Sequence, residues 1–247
     1  PETAVVSVIY GNNEIGTINP AAAIAEICRS RGILFHTDAV QAAGHLPIRV
    51  DATGADLISI GAHKFYGPKG VGVLYCRAGT QLEPQQPGGE QEAGRRAGTE
   101  NVPLIVGLAT ALTISADEGL RHETRLRSLR DRIIDGVLSS VPGARLTGSR
   151  SARLPNHASF VLPGVDANRL LAALDLAGFA CSSGSACKTG DPSPSSVLLA
   201  LGLSADLALG SLRVTVGRPT TDEEVAGFLA ALPASVEALR RSPVFAA

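Results

Sequence analysis

The stretch 56-DLISIGAHKFYGPKGVGVLYC-76 decides the fold. Two short apolar runs, DLISI and VGVLYC, flank the polar turn GAHKFYGPKG. Runs of this length, rich in β-branched residues and bounded by Gly and Pro, read as buried strands. Upstream, 33-ILFHTDAVQ-41 repeats the form, its apolar body ending in Asp38 and Gln41. Further upstream, 4-AVVSVIY-10 runs into 11-GNNEIGT-17. Between these strands Pro20 opens AAAIAEICRSR, a helix with Ile24, Ile27 and Cys28 on one face and Gly32 as its stop. Strand, helix, strand alternation implies an α/β fold with a mostly parallel sheet, whose ligands sit at the carboxyl ends of the strands.

Outward from there the order changes. Residues 79–100, GTQLEPQQPGGEQEAGRRAGTE, are a Gly/Gln/Arg-rich loop, and residues 101–140 have a long helical pattern. HASFVL (157–162) and SLRVTVG (211–217) read as strands, with helices near 166–177, 194–202 and 221–241. Thr221 and Glu224 have capping-box spacing for the last helix. The expected division is a large domain over 1–120 and a smaller α+β C-terminal domain over 121–247.

With 247 residues, the chain is long enough for one large core or two modest ones. A net charge of -1 gives no field that would steer it to nucleic acid or an anionic membrane. No continuous apolar run reaches the ~18–20 residues of a membrane span, so neither partner is expected. Four cysteines are too few for a disulfide framework, and the expected compartment is the cytoplasm. The chain starts at Pro1 and contains no Met, so Pro1 is not expected to be the translation start. Of 22 basic residues only Lys64, Lys69 and Lys188 are lysines. A lysine in an arginine-rich chain raises the question of whether an amine is needed, since only Lys can lose its proton and form an imine.

Three polar clusters fall at strand ends: Asn12-Asn13-Glu14, Asp38 with Gln41, and His63-Lys64. Singly, each has an ordinary explanation: a turn, a helix cap, a solvated lysine. Together they suit pyridoxal 5'-phosphate, which needs an amine for its Schiff base and a carboxylate for its pyridinium nitrogen. Lys64 and Asp38 supply these. Gln41 can donate to the phenolate oxygen, and His63 or neighbouring amides can hold phosphate. No C-x₂-C pair favours zinc or an iron–sulfur cluster, and no metal site is expected.

The stretches NNEIGTINP, FHTDAVQAAGHLPI, GAHKFYGPKGVGVLY, GGEQEAGRRAGTENV, CSSGSAC and SLRVTVGRPTT resemble cysteine desulfurases of the NifS/IscS type, in the class V branch of fold-type I pyridoxal-phosphate enzymes. The resemblance runs in order from about residue 4 to residue 241. It implies that Lys64 is the Schiff-base lysine, Asp38 the pyridinium partner, Gln41 the phenolate contact and His63 a phosphate ligand. Asn13 matches an asparagine near the cofactor and the substrate carboxylate, and Arg213 an arginine that clamps that carboxylate. Thr99 matches a threonine reaching the phosphate of a neighbouring subunit, which implies a homodimer. Cys187, last in SSGSAC, matches the thiol that takes sulfur from L-cysteine as a persulfide and passes it to a scaffold or carrier protein. Attack requires the thiolate.

Where many relatives carry a serine phosphate ligand, this chain has Gly61. The family's usual chain is also longer at the N-terminus, and its Gly/Thr phosphate loop and ring-stacking histidine have no counterpart here. Two alternatives follow from the resemblance: a selenocysteine lyase or other class V lyase, and a truncated, catalytically silent subunit or assembly partner. Of the other cysteines, Cys28 reads as helix core and Cys76 as a strand end. Cys181 reads as packing beside Phe179, with resolution of Cys187 as a disulfide the alternative.

Overall fold

The computed structural model describes residues 2–184 and 193–241, apart from the side chain of Leu120. They fall into two compact units: Pro1–Gly11 with Asn19–Gly119, and Asn12–Ile18 with Leu120–Ala247.

The first unit is built on β1 (Val5–Ile9), α1 (Ala21–Ser30), β2 (Leu34–Asp38), α2 (Val50–Thr53), β3 (Leu57–Gly61) and β4 (Gly72–Cys76), with sheet order β1-β2-β3-β4. β1, β2 and β3 are mutually parallel; β4 is antiparallel to β3. Residues 62–71 connect β3 to β4, fewer than the dozen or more that a parallel crossover requires, so the chain turns back instead. Predicted strand 33–41 ends at Asp38, where the carboxylate accepts the Val40 N–H and the chain tightens into a turn over Ala39–Ala43. The α1 face is also corrected. Ala21, Ala25 and Cys28 are buried, at the four- and three-residue spacing of one helical stripe, whereas Ile27 is 55% exposed. His36 ties the sheet together, its ring nitrogens bonding Ser7 Oγ (2.7 Å) and Ser59 Oγ (2.9 Å). By the two-residue period of a strand, Asp38 shares that face.

The long predicted helix is α3 (Val102–Ser140), interrupted at Gly119, whose φ of 43° and ψ of −131° are not helical. Val102–Gly119 is apolar and long enough to cross a membrane by length and composition alone, with mean hydropathy 1.3 and 6% of the segment buried. It is not a continuous apolar run. Gly107, Thr110, Thr113 and Ser115 interrupt the apolar residues.

The second unit contains β5 (Arg145–Leu146), β6 (His157–Val161), α4 (Ala167–Leu176), α5 (Ser196–Ala200), α6 (Ala205–Leu209), β7 (Ser211–Thr215) and α7 (Asp222–Arg241). Its strands form an antiparallel sheet, β5-β6-β7. Ala158, Phe160, Leu212 and Val214 face one way and pack with Ile133 and Val137 of α3, Leu170 of α4 and Phe228 and Leu232 of α7. Each such Leu, Ile or Phe contributes about 1.5–3 kcal/mol by leaving water. The capping box forms as expected: Thr221 N donates to Glu224 Oε2 (2.8 Å) and Glu224 N to Thr221 Oγ1 (3.1 Å). β5, α2 and α6 were not anticipated; each is five residues or fewer, too short to show a period.

Hydrogen bonds explain why Asn12–Ile18 belongs to this second unit. Leu154 N donates to Gly16 O (2.8 Å), Ile18 N to Ala152 O (2.9 Å) and Ser149 N to Thr17 Oγ1 (3.0 Å). Beneath them Arg153 is fully buried, its guanidinium donating to the carbonyls of Ser149 and Thr147.

Candidate functional site

In the first unit two adjacent parallel strands deliver the expected amine and carboxylate to the same sheet edge. β2 ends at Asp38, β3 at Gly61, and the register pairs Asp38 with Ser59. Asp38 Oδ1 accepts the Val40 N–H at 2.9 Å, which fixes the carboxylate, while Oδ2 has no partner among the described residues. Gln41 is half-buried in the turn that follows. Lys64 closes a 3-10 turn, Ala62–Lys64, with an exposed side chain.

The backbone around that lysine is tightly specified. Phe65, 1% exposed, packs with Ala43, Ala62 and Leu108. Tyr66 adopts a left-handed φ of 68°, unusual for an aromatic residue and held at a cost of about 1–3 kcal/mol. Gly67 N donates to Ala62 O at 2.9 Å, and a side chain at Gly67 would meet that same turn at 2.9–3.0 Å. The lysine therefore projects from a turn anchored on its C-terminal side.

His63 is exposed. A Cβ built on Gly61 would stand 3.3 Å from its Cε1 and 3.4 Å from its Nδ1. A serine here would touch the imidazole, which is exposed and can shift to admit it. Thr99 is exposed in the Gly/Gln/Arg-rich segment.

A second cluster lies in the other unit. Arg213, on β7, donates from Nη1 to the carbonyls of Asn13 (2.9 Å) and Gly184 (3.0 Å). Glu14 Oε2 accepts from Ser195 Oγ at 2.5 Å, and Ser195 also caps α5 by accepting the Leu198 N–H. The Asn13 side chain makes no hydrogen bond among the described residues. Thus Asn13 and Arg213 come together; Asp38 and Lys64 leave neighbouring strands; Cys187 lies outside the described residues. Reading the sequence alone misses His157, whose signal is a histidine at the head of an apolar strand; its Nε2 lies 3.2 Å from the Asn13 carbonyl.

Cys28 is buried and Cys76 ends β4. Cys181 packs against the core of the second unit, near the edge-to-face pair Phe179–Phe228, and burial pushes its thiol up to about 11. A thiol so seldom ionised is a poor nucleophile at neutral pH. Among the described residues no group of three or more His, Cys, Asp or Glu could hold a metal ion.

An amine and a carboxylate with one open oxygen, at one sheet edge, fit a pyridine ring bearing an aldehyde and a protonated nitrogen. Comparison with known proteins places the chain among named relatives. The chain is 45% identical over 239 residues to the cysteine desulfurase IscS of Dictyoglomus turgidum, covering 97% of this chain and 61% of that protein. It is 44% identical over 247 residues to the cysteine desulfurase IscS of Clostridium botulinum, covering 99% and 62%. The chain thus spans about three-fifths of the length of these curated relatives. Among solved structures, the NifS-like protein of Rickettsia africae superposes with a TM-score of 0.86 at 30% identity, covering 94% of this chain and 62% of that one. SspA in complex with cysteine gives 0.69 at 30% identity, covering 87% and 59%. Residues 1–228 match the Aminotransferase class-V family, and the chain belongs to it.

Proposed function

We propose that the protein carrying this chain is a pyridoxal-phosphate-dependent cysteine desulfurase, releasing sulfur from L-cysteine and leaving L-alanine. The observation that carries this reading is the placement of Asp38 and Lys64 at the carboxyl ends of adjacent parallel strands, in a chain 44–45% identical to proteins named as cysteine desulfurases.

Pyridoxal phosphate is the family's cofactor, and when bound it supplies an electron sink for charge developing at the substrate Cα. Lys64 would hold it covalently and move the Cα proton. Asp38 Oδ2 would pair with the ring nitrogen, Gln41 would donate to the phenolate oxygen, and His63 would contact the phosphate. Arg213, a bidentate donor, would clamp the substrate carboxylate with Asn13 beside it. The Cys187 thiolate would then attack the substrate sulfur: an S–S bond forms, the C–S bond breaks, and the carbon takes up a proton to give alanine. The terminal sulfur would pass from Cys187 to a thiol of an acceptor protein serving iron–sulfur or thio-cofactor assembly.

We further read the protein as a cytoplasmic homodimer with Thr99 reaching a partner's phosphate site. The exposed apolar side chains Val102, Ile105, Val106, Leu112 and Ile114 support a covering subunit. The decisive experiment follows sulfide and alanine from L-cysteine in the presence of a reductant. Cys187→Ser should abolish both while the visible absorption of the bound cofactor still changes on adding substrate. Sulfide released at the wild-type rate by that variant would refute the assignment of the nucleophile.

A further inference from the structure

The face of the β6–β7 sheet opposite the larger apolar core carries His157, Ser159, Ser211, Arg213 and Thr215 beside the buried Val161. Register pairs His157 with Thr215 and Ser159 with Arg213, so His157 and Arg213 are diagonal neighbours on that face. Both reach the same atom. Arg213 Nη1 donates to Asn13 O at 2.9 Å, and His157 Nε2 lies 3.2 Å from it. A carbonyl oxygen only accepts, so Nε2 carries the proton and Nδ1 the lone pair. That Nδ1 is buried without a partner, in a side chain 2% exposed.

The opposite side of the same peptide is held as well. Glu14 N and Ile15 N donate to Asn12 Oδ1 at 2.8 and 2.9 Å, so both the carbonyl and the amide of the Asn13–Glu14 link are tied down. Gly16 makes room for the imidazole: a Cβ there would lie 2.6 Å from Nδ1, and its φ of 71° is one glycine adopts freely. Burial, with the charges of Arg153 and Arg213 in the same sense, lowers His157 to about 3, so the ring donates without bringing a second cation beside Arg213.

We infer that His157 is a positioning residue: with Arg213 it clasps the Asn13 carbonyl, and so orients Asn13 and Arg213 toward the α-carboxylate of an amino-acid substrate. This rests on the desulfurase reading for the identity of the substrate, though not for the clasp itself.

Two measurements test it. In protein labelled with ¹⁵N-histidine, the His157 ring should carry its proton on Nε2 at pH 7; an Nδ1–H tautomer there overturns the clasp. In the holoenzyme, His157→Leu should raise KM for L-cysteine roughly three- to tenfold, the worth of one hydrogen bond, with kcat within about twofold of wild type. His157→Gln, whose amide nitrogen takes the place of Nε2, should restore KM. An unchanged KM, an equal fall in kcat, or failure of the glutamine to rescue refutes the positioning role. Should wild-type enzyme release no sulfur from L-cysteine, the functional reading fails on that result alone, and the ring spectrum still decides the clasp.

Discussion

The turn that carries Lys64 and the corner that holds Asn13 solve the same problem by different means. Lys64 is placed by its immediate neighbours: a buried Phe65, a left-handed Tyr66 and a Gly67 folded back on Ala62. Asn13 is placed by residues far along the chain, with His157 and Arg213 lying 144 and 200 positions away. A group that does chemistry can be presented by a local turn because its side chain must stay free to exchange partners. A group that reads a substrate's shape gains from a rigid, buried frame, where each polar contact is stronger than in water.

The sharpest break of that contrast is Lys64→Ala. With its side chain exposed and its turn held by neighbours, the variant should lose sulfur release and the visible cofactor band completely, while its unfolding midpoint stays near that of wild type. A large fall in stability would mean that the amine supports the fold. Phe65→Ala attacks the frame instead of the group. Emptying that buried site should cost about 3–5 kcal/mol by urea denaturation; a loss below about 1 kcal/mol would show the turn held by something other than Phe65. On the other side of the comparison, Gly16→Ala forces a Cβ to 2.6 Å from His157 Nδ1 at a left-handed φ. About 2 kcal/mol of destabilisation should follow, accompanied by a raised KM for L-cysteine.

The smallest effect is a pH dependence. His157 titrates at about 3 when folded and near 6.5 when unfolded, so between those values the unfolded chain binds a proton that the native one does not. Stability should therefore be flat above pH ~6.5 and fall as the solution is acidified through that window, by about 1 kcal/mol between pH 7 and 5.5. His157→Gln should remove that increment and leave the rest of the profile in place. Identical profiles for the two proteins would show that the ring takes up its proton in the native state.

The same contrast governs how much was legible in the sequence. Strands, the α7 cap and the position of Asp38 at a strand end could be read because their signals are local: apolar runs ending in polar residues, Thr221 three places before Glu224. The direction of β4 was not, because nothing in VGVLYC records which way its partner runs. Ile27 misled because α1 buries its small residues, Ala21 and Ala25, against the sheet and leaves a large one outside. The clasp on Asn13 was invisible for the same reason that it is rigid: its parts are brought together only by the folded antiparallel sheet.

Gly119 has a bearing on descent. Nothing lies within 4 Å of where its side chain would be, so no steric neighbour protects it from replacement. Its φ of 43° with ψ of −131° is nevertheless a conformation that residues with a Cβ avoid. A codon change at this position would have to re-form the break in the helix or abandon it, although no packing contact depends on the residue.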